Sequence, residues 1–202
     1  MSTIGYGGIL PNGALGNTIV TIESAFGIVM VAILTGLILA KISKPNAKII
    51  FSKNLLIQKM DGQDVLTFRI GNVRGNDIVE ASVKLTALLL EQPEGQSNSR
   101  RRLHDLKVLR SSSPFFRLTW SIYHPIDEDS PFFGKTNFQV ENLLAIVATV
   151  IGHDDSFSST IHARHNYYQD HILLNREFED VLSEKSDGRV VIDYRKFHSL
   201  KS

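Results

Sequence analysis

Apolar side chains are spread along this chain in two unlike ways. Over residues 18–39 they are nearly continuous (TIVTIESAFGIVMVAILTGLIL), with one charge, Glu23. Past residue 47 they come in short runs of alternating character, separated by glycine, proline and polar clusters. The first pattern predicts one long helix, and at 1.5 Å per residue it rises about 33 Å. That length crosses a hydrocarbon core of roughly 30 Å. A secretory signal peptide needs a charged leading segment, a shorter apolar run and a small-residue cleavage site. Residues 1–17 carry no charged side chain and the run is too long, so a membrane span is expected. Lys41, Lys44, Lys48 and Lys53 follow the span and no cation precedes it. An excess of cations marks the cytoplasmic flank, which places the C-terminal side inside the cell.

The second pattern predicts strands. Residues 48–58 and 65–70 flank Asp61-Gly62, a strong hairpin signal. Residues 78–90 read as a long strand, followed by a polar loop over 91–102. Strands are expected at 103–110, 115–126, 145–151, 158–167, 178–184 and 190–194, with an Asp187-Gly188 turn between the last two and a short helix at 136–143. Many short strands at such spacing indicate a β-sandwich. Lys44-Pro45 ends the helix, because proline cannot continue it and restricts its predecessor. Two domains follow: 1–45, an N-terminal segment and transmembrane helix, and 46–202, a β-sandwich.

Composition narrows the function. The 202 residues carry a formal charge of +1 and no cysteine. A near-neutral chain lacks the basic surplus of a nucleic-acid binder. Without cysteine there is no disulfide framework, thiolate nucleophile or Cys-based zinc site. His162 and His165 lie three apart, which on a strand puts them on opposite faces and disfavours a shared metal. No nucleotide loop, nucleophile elbow or metalloprotease motif is present, so no enzyme is expected. No cofactor is expected either.

The segment that carries chemistry is Thr3-Ile4-Gly5-Tyr6-Gly7. A potassium filter is built from backbone carbonyls of four such loops, which replace the ion's hydration shell. Glycines let the carbonyls turn inward, and potassium would sit at Thr3, Ile4, Gly5 and Tyr6 as the permeant species. Alone, five residues read equally as a glycine-rich turn. Their position about ten residues before a single pore-length helix favours the filter.

With these landmarks the sequence resembles the inward-rectifier potassium channel family, the bacterial branch most closely. The landmarks are TIGYG (3–7), AKISKP (40–45), DGQDVLTFRIGNVR (61–74), IVEASVKL (78–85), HDLKV (104–108), HPIDEDSPFFG (124–134), ARH (163–165) and VIDYRKFH (191–198). The resemblance implies passive, selective potassium transport by a homotetramer. It also implies an immunoglobulin-like cytoplasmic domain that extends the pore. Val31, Thr35 and Leu39 match pore-lining positions, with Leu39 as a hydrophobic gate, and Gly27 and Gly36 match flexible ones. Helix packing is the plainer role for all five. Lys41, Lys44 and Lys48 match an anionic-lipid site, phosphoinositide among the candidates, or else simply anchor the span. Glu80 matches an acidic vestibule position. Asp155 and Arg164 match an ion pair. Apolar Val31 and Ile151 stand where strong rectifiers carry carboxylates, so weak rectification is implied.

The family also has an outer helix, an interfacial helix and a pore helix ahead of the filter, and none of them is in this sequence. The 202 residues are therefore expected to be a fragment that carries no selective flux alone. The competing reading is a membrane-tethered β-sandwich acting as an interaction or regulatory module without conduction.

Overall fold

Twelve strands and one long helix are formed by residues 11–42, 48–92, 98–135, 142–155, 159–184 and 190–201, the residues that the structure, a computed structural model, describes. The chain divides into two compact units, Met1–Asn46 and Ala47–Ser202.

In the first unit, helix α1 spans Gly13–Ile42, longer than the 18–39 that hydropathy alone marks. It is apolar on every side, and none of its apolar window is buried within the chain. A helix without a polar face suits lipid or a protein partner rather than water. Its threonine hydroxyls are already satisfied: Thr18, Thr21 and Thr35 donate to the carbonyls of Ala14, Asn17 and Val31 at 2.9, 2.8 and 2.8 Å. Such back-bonding removes donors that would be costly in an apolar medium.

In the second unit, β3 (Gln63–Asn72) is the centre of one sheet. It pairs with β7 (Thr119–Pro125) on one side and with β2 (Leu55–Met60) and β1 (Ile49–Phe51) on the other; β10 (Ile172–Leu174) adds to β2 in parallel. The second sheet runs β5 (Arg100–Leu106), β4 (Ile78–Glu91), β8 (Leu143–Asp154), β9 (Ser159–Tyr167), with β6 (Ser112–Phe116) beside the start of β4. A separate ribbon pairs β11 (Leu182–Glu184) with β12 (Val190–Ile192). Leu66, Phe68, Ile70 and Ile122 from one sheet meet Val83, Leu85, Ile146 and Val150 from the other in a continuous core, the two-layer arrangement of a sandwich.

The expected hairpin forms. Asp61 and Gly62 both take positive φ, 51° and 83°, and Met60 pairs with Gln63, as a two-residue turn of mirror-image type requires. Other expected elements change. The single strand over 48–58 is two, β1 and β2: at Ser52 the hydroxyl, not the backbone carbonyl, accepts from the Arg69 amide of β3, and the carbonyl accepts from the Tyr167 hydroxyl instead. The single strand over 115–126 is also two, in different sheets: β6 pairs with β4, whereas β7 pairs with β3. Of the helix expected at 136–143, Leu143 belongs to β8; residues 136–141 lie outside the described residues, as does the Asp187-Gly188 turn. The strand expected at 178–184 is ordered as a strand only from Leu182, Phe178 making one bridge to Leu200. The strand expected at 190–194 ends at Ile192, where Asp193 caps a 3-10 turn, accepting from the Arg195 amide.

From Val65 onward β3 is buried on both faces. This is unusual for an antiparallel sheet with one solvated side. Its outer face is met by Phe178 and Phe197: the Arg69 guanidinium lies over the Phe178 ring at 4.5 Å, and the Phe197 ring fills the space at Gly71.

Candidate functional site

Thr3, Ile4, Gly5, Tyr6, Gly7 and Lys44 lie outside the described residues. On α1, Val31, Thr35 and Leu39 fall at successive i, i+4 positions, one stripe of the helix. Val31 and Leu39 are 57% and 58% exposed. With the Thr35 hydroxyl turned back to the Val31 carbonyl, its hydrogen is committed within the helix. At Gly36 an added Cβ would meet nothing within 4 Å, so that position imposes no packing constraint within the chain. Gly27 is half-buried on the same helix. Lys41 stands in the last turn, where a cation complements the helix dipole. Lys48 is exposed, and its carbonyl accepts from the Val73 amide at 2.9 Å.

Glu80 owes its placement to a β-bulge. Ile78 and Ala81 are both buried, an odd spacing that an unbroken strand cannot give. The register between β4 and β8 shifts between Val79 and Ser82, and Glu80 takes φ of 50°, a left-handed conformation that costs a non-glycine residue about 1 kcal/mol. The extra residue restores the inward phase at Ala81 and sends the Glu80 carboxylate to solvent. On β8, Gly152 faces the bulge; a Cβ there would lie 2.6 Å from Ile78 Cγ2. Ile151, the next residue back, pairs with Ser82. The structure therefore brings Glu80 and Ile151 to adjacent strands around one bulge.

Asp155 and Arg164 are not brought together within this chain. Asp154 pairs with Ser159 and Thr149 with Arg164, so five strand residues, about 17 Å, separate Arg164 from the end that holds Asp155. Among the described residues no ion pair joins them. The neighbouring carboxylate makes one instead: Asp154, with its side chain fully buried, meets Arg74 Nη1 at 2.9 Å. Alternation carries the signal for this pair, since Val150, Gly152 and Asp154 all face inward. His162 is exposed and His165 half-buried on opposite faces of β9. Among the described residues no group of three or more metal-ligating side chains gathers.

A feature that sequence reasoning missed lies just after the helix. Ser52 is fully buried and saturated with hydrogen bonds. Its amide donates to the Arg69 carbonyl at 2.9 Å. Its hydroxyl accepts from the Arg69 amide at 3.1 Å and donates to the Asn54 carbonyl at 2.8 Å. Its carbonyl accepts from the Tyr167 hydroxyl at 3.0 Å. Burial pushes the Tyr167 phenol well above its ordinary range. Next to it, His165 stacks on Phe51 at 5.5 Å; burial, and then the nearby His171, hold its affinity for a proton below normal. The Arg69 guanidinium is itself desolvated, which lowers its pKa, against a raising influence from Asp180.

One bilayer-length apolar helix followed by a two-sheet sandwich defines a membrane-anchored β domain. The comparisons with known proteins give the family. Residues 49–202 match the model of the inward rectifier potassium channel C-terminal domain. The chain is 38% identical over 201 residues to the inward rectifier potassium channel Kirbac3.1 of Paramagnetospirillum magnetotacticum, covering 99% of this chain and 68% of that protein. It is 30% identical over 206 residues to the human inward rectifier potassium channel 4, covering 98% of this chain and 46% of the relative. The chain belongs to the inward-rectifier potassium channel family, on its bacterial branch.

Proposed function

We propose that this chain is a subunit of a potassium-selective channel that works as a homotetramer. The observation that carries the reading is the placement of Thr3-Ile4-Gly5-Tyr6-Gly7 immediately ahead of α1 in a chain that aligns with the family along nearly its whole length. Four such segments around an axis supply the carbonyl cage that substitutes for water around potassium. Four copies of α1 line the conduit below it. A ring of Leu39 side chains closes that conduit by excluding water, since a narrow apolar constriction gates by dewetting. The β domain lies on the cytoplasmic side, and Glu80 carboxylates concentrate cations at its entrance.

With apolar Val31 and Ile151 the conduit lacks further carboxylate rings, so block by intracellular polycations is weak and rectification shallow. Lys41, Lys44 and Lys48 face the anionic headgroup layer, each contributing about 1 kcal/mol near a charged surface, which makes conduction sensitive to anionic lipid. An ion pair between Asp155 and Arg164 is then a contact between adjacent copies, because one chain keeps them apart. The test is potassium flux from liposomes holding the full-length gene product. Flux that barium blocks is expected; a purified, folded tetramer without barium-sensitive flux would leave the non-conducting tethered module as the reading.

A further inference from the structure

Two exposed histidines lie on the outward face of the second sheet, beside Glu80. Val150, Gly152 and Asp154 of β8 and Ile161 of β9 turn inward. Strand alternation therefore puts His153 of β8 and both Thr160 and His162 of β9 outward, and all three are exposed. The register fixes their neighbours. His153 pairs with Val79 of β4 on one side and with Thr160 of β9 on the other, and His162 pairs with Ile151. The two histidines are thus diagonal neighbours, a relation that sets residues about 7–8 Å apart. Glu80, turned to solvent by the bulge, follows directly on Val79. One carboxylate and two imidazoles meet around a single bulge. His153 Nδ1 lies 3.3 Å from Thr160 Oγ1; a hydroxyl can donate or accept, so either charge state of that ring is accommodated.

The fixed charges around these rings cancel. On β4 they are Glu80 and Lys84, just past the end of β8 Asp155, and on β9 Arg164, all exposed: two carboxylates against two cations. Other nearby charges are engaged elsewhere. Asp154 points inward to Arg74 at 2.9 Å, and Asp77, ahead of β4, lies 3.7 Å from Arg117. Strand β6, on the far side of β4, has no titratable side chain. The sign of this face is therefore left to His153 and His162, and imidazole is the side chain whose charge changes between pH 5 and 8. A single exposed charge is screened beyond a Debye length of about 8 Å. Four copies around a narrow aqueous conduit repeat the pair fourfold, and low-dielectric walls focus the field of the sum.

We propose that His153 and His162 make the cation affinity of the cytoplasmic conduit pH-dependent. Neutral rings leave Glu80 to hold permeant and blocking cations, and protonated rings repel them. The inference rests on the channel reading above. Its experiment records the full-length protein in planar bilayers at pH 7.5 and 5.5, with decamethonium on the cytoplasmic side, a blocker whose quaternary charges do not titrate. Wild-type block is expected to weaken about tenfold at the lower pH. The double variant His153→Asn, His162→Asn changes exposed side chains only, which leaves the fold intact. It is expected to keep the block seen at pH 7.5 and to lose most of the change on acidification. A double variant that retains the wild-type pH dependence overturns the proposal, and so does a conducting wild type blocked equally at both pH values. A folded wild type that passes no current fails the channel reading itself, and the proposal falls with it.

Discussion

At Gly152 the missing side chain is a structural requirement. The bulge on β4 pushes the Ile78 side chain to within 2.6 Å of where a Cβ would stand, with the backbone at Ala81 3.3 Å away. Backbone cannot yield as a flexible side chain would, so Gly152→Ala is expected to destabilise the β domain by about 2 kcal/mol, visible as a lowered midpoint in thermal or urea unfolding. His124 makes a second residue-level case. It is buried, its Nδ1 meets the Lys107 carbonyl at 2.7 Å and its Nε2 meets Ser130 Oγ at 2.9 Å. A carbonyl only accepts, so Nδ1 carries the hydrogen and the neutral ring accepts at Nε2. Burial lowers its pKa below the ordinary 6.5, and burial acts in the same direction on His165 and His198. The unfolded chain then binds protons that the folded chain refuses. Stability from these groups is full above about pH 6.5 and is lost as pH falls through their lower folded values. Unfolding midpoints recorded from pH 7.5 down to 5 are expected to fall, and His124→Gln to flatten the slope. What the sequence could show at this scale was uneven. Asp61-Gly62 announced its turn because the turn type demands those residues. The bulge at Glu80 carried no glycine to mark it; Asp155 was named because the resemblance implied its pair with Arg164, and the inward-facing Asp154 beside it, which meets Arg74, was not singled out.

Among the elements, α1 was legible almost entirely, since a long apolar run has few alternative structures; its extra turns at both ends follow from flanking residues that tolerate helix. The sheets were less so. The run from 115 to 126 alternates well enough to look like one strand, and nothing local at Arg117-Leu118 announces that the chain leaves one sheet for the other. That crossing is a tertiary decision. The double burial of β3 was equally hidden, because its cover comes from residues more than a hundred positions away. Two predictions belong to this scale. Under the proposed gate, replacing Leu39 by asparagine puts a polar group in the apolar ring, so basal potassium leak from liposomes is expected to rise several-fold. Ile151→Glu places a second carboxylate beside Glu80 around the same bulge. In four copies this is expected to strengthen block by intracellular spermine about tenfold, read from current–voltage curves; unchanged block would place the β4–β8 outer face away from the ion path.

For the whole molecule, the family is established by the match along 49–202 and by the relatives on either side of the bacterial divide, and the channel activity follows from it as a proposal. The proposed filter is a reading of sequence alone, possible because such a filter works through backbone carbonyls at a fixed spacing of glycines, a chemistry that five letters express. The proposed assembly, lipid response and gating are not expressed in this way, because they would depend on surfaces shared between copies of the chain. The measurement that reaches the central claim most directly is the reversal potential of the full-length protein in a planar bilayer, with potassium on one side and sodium on the other at equal concentration. A potassium-selective filter predicts a reversal potential displaced far toward the potassium equilibrium value and a current abolished by barium. A reversal potential near zero, in a preparation that conducts, would contradict it.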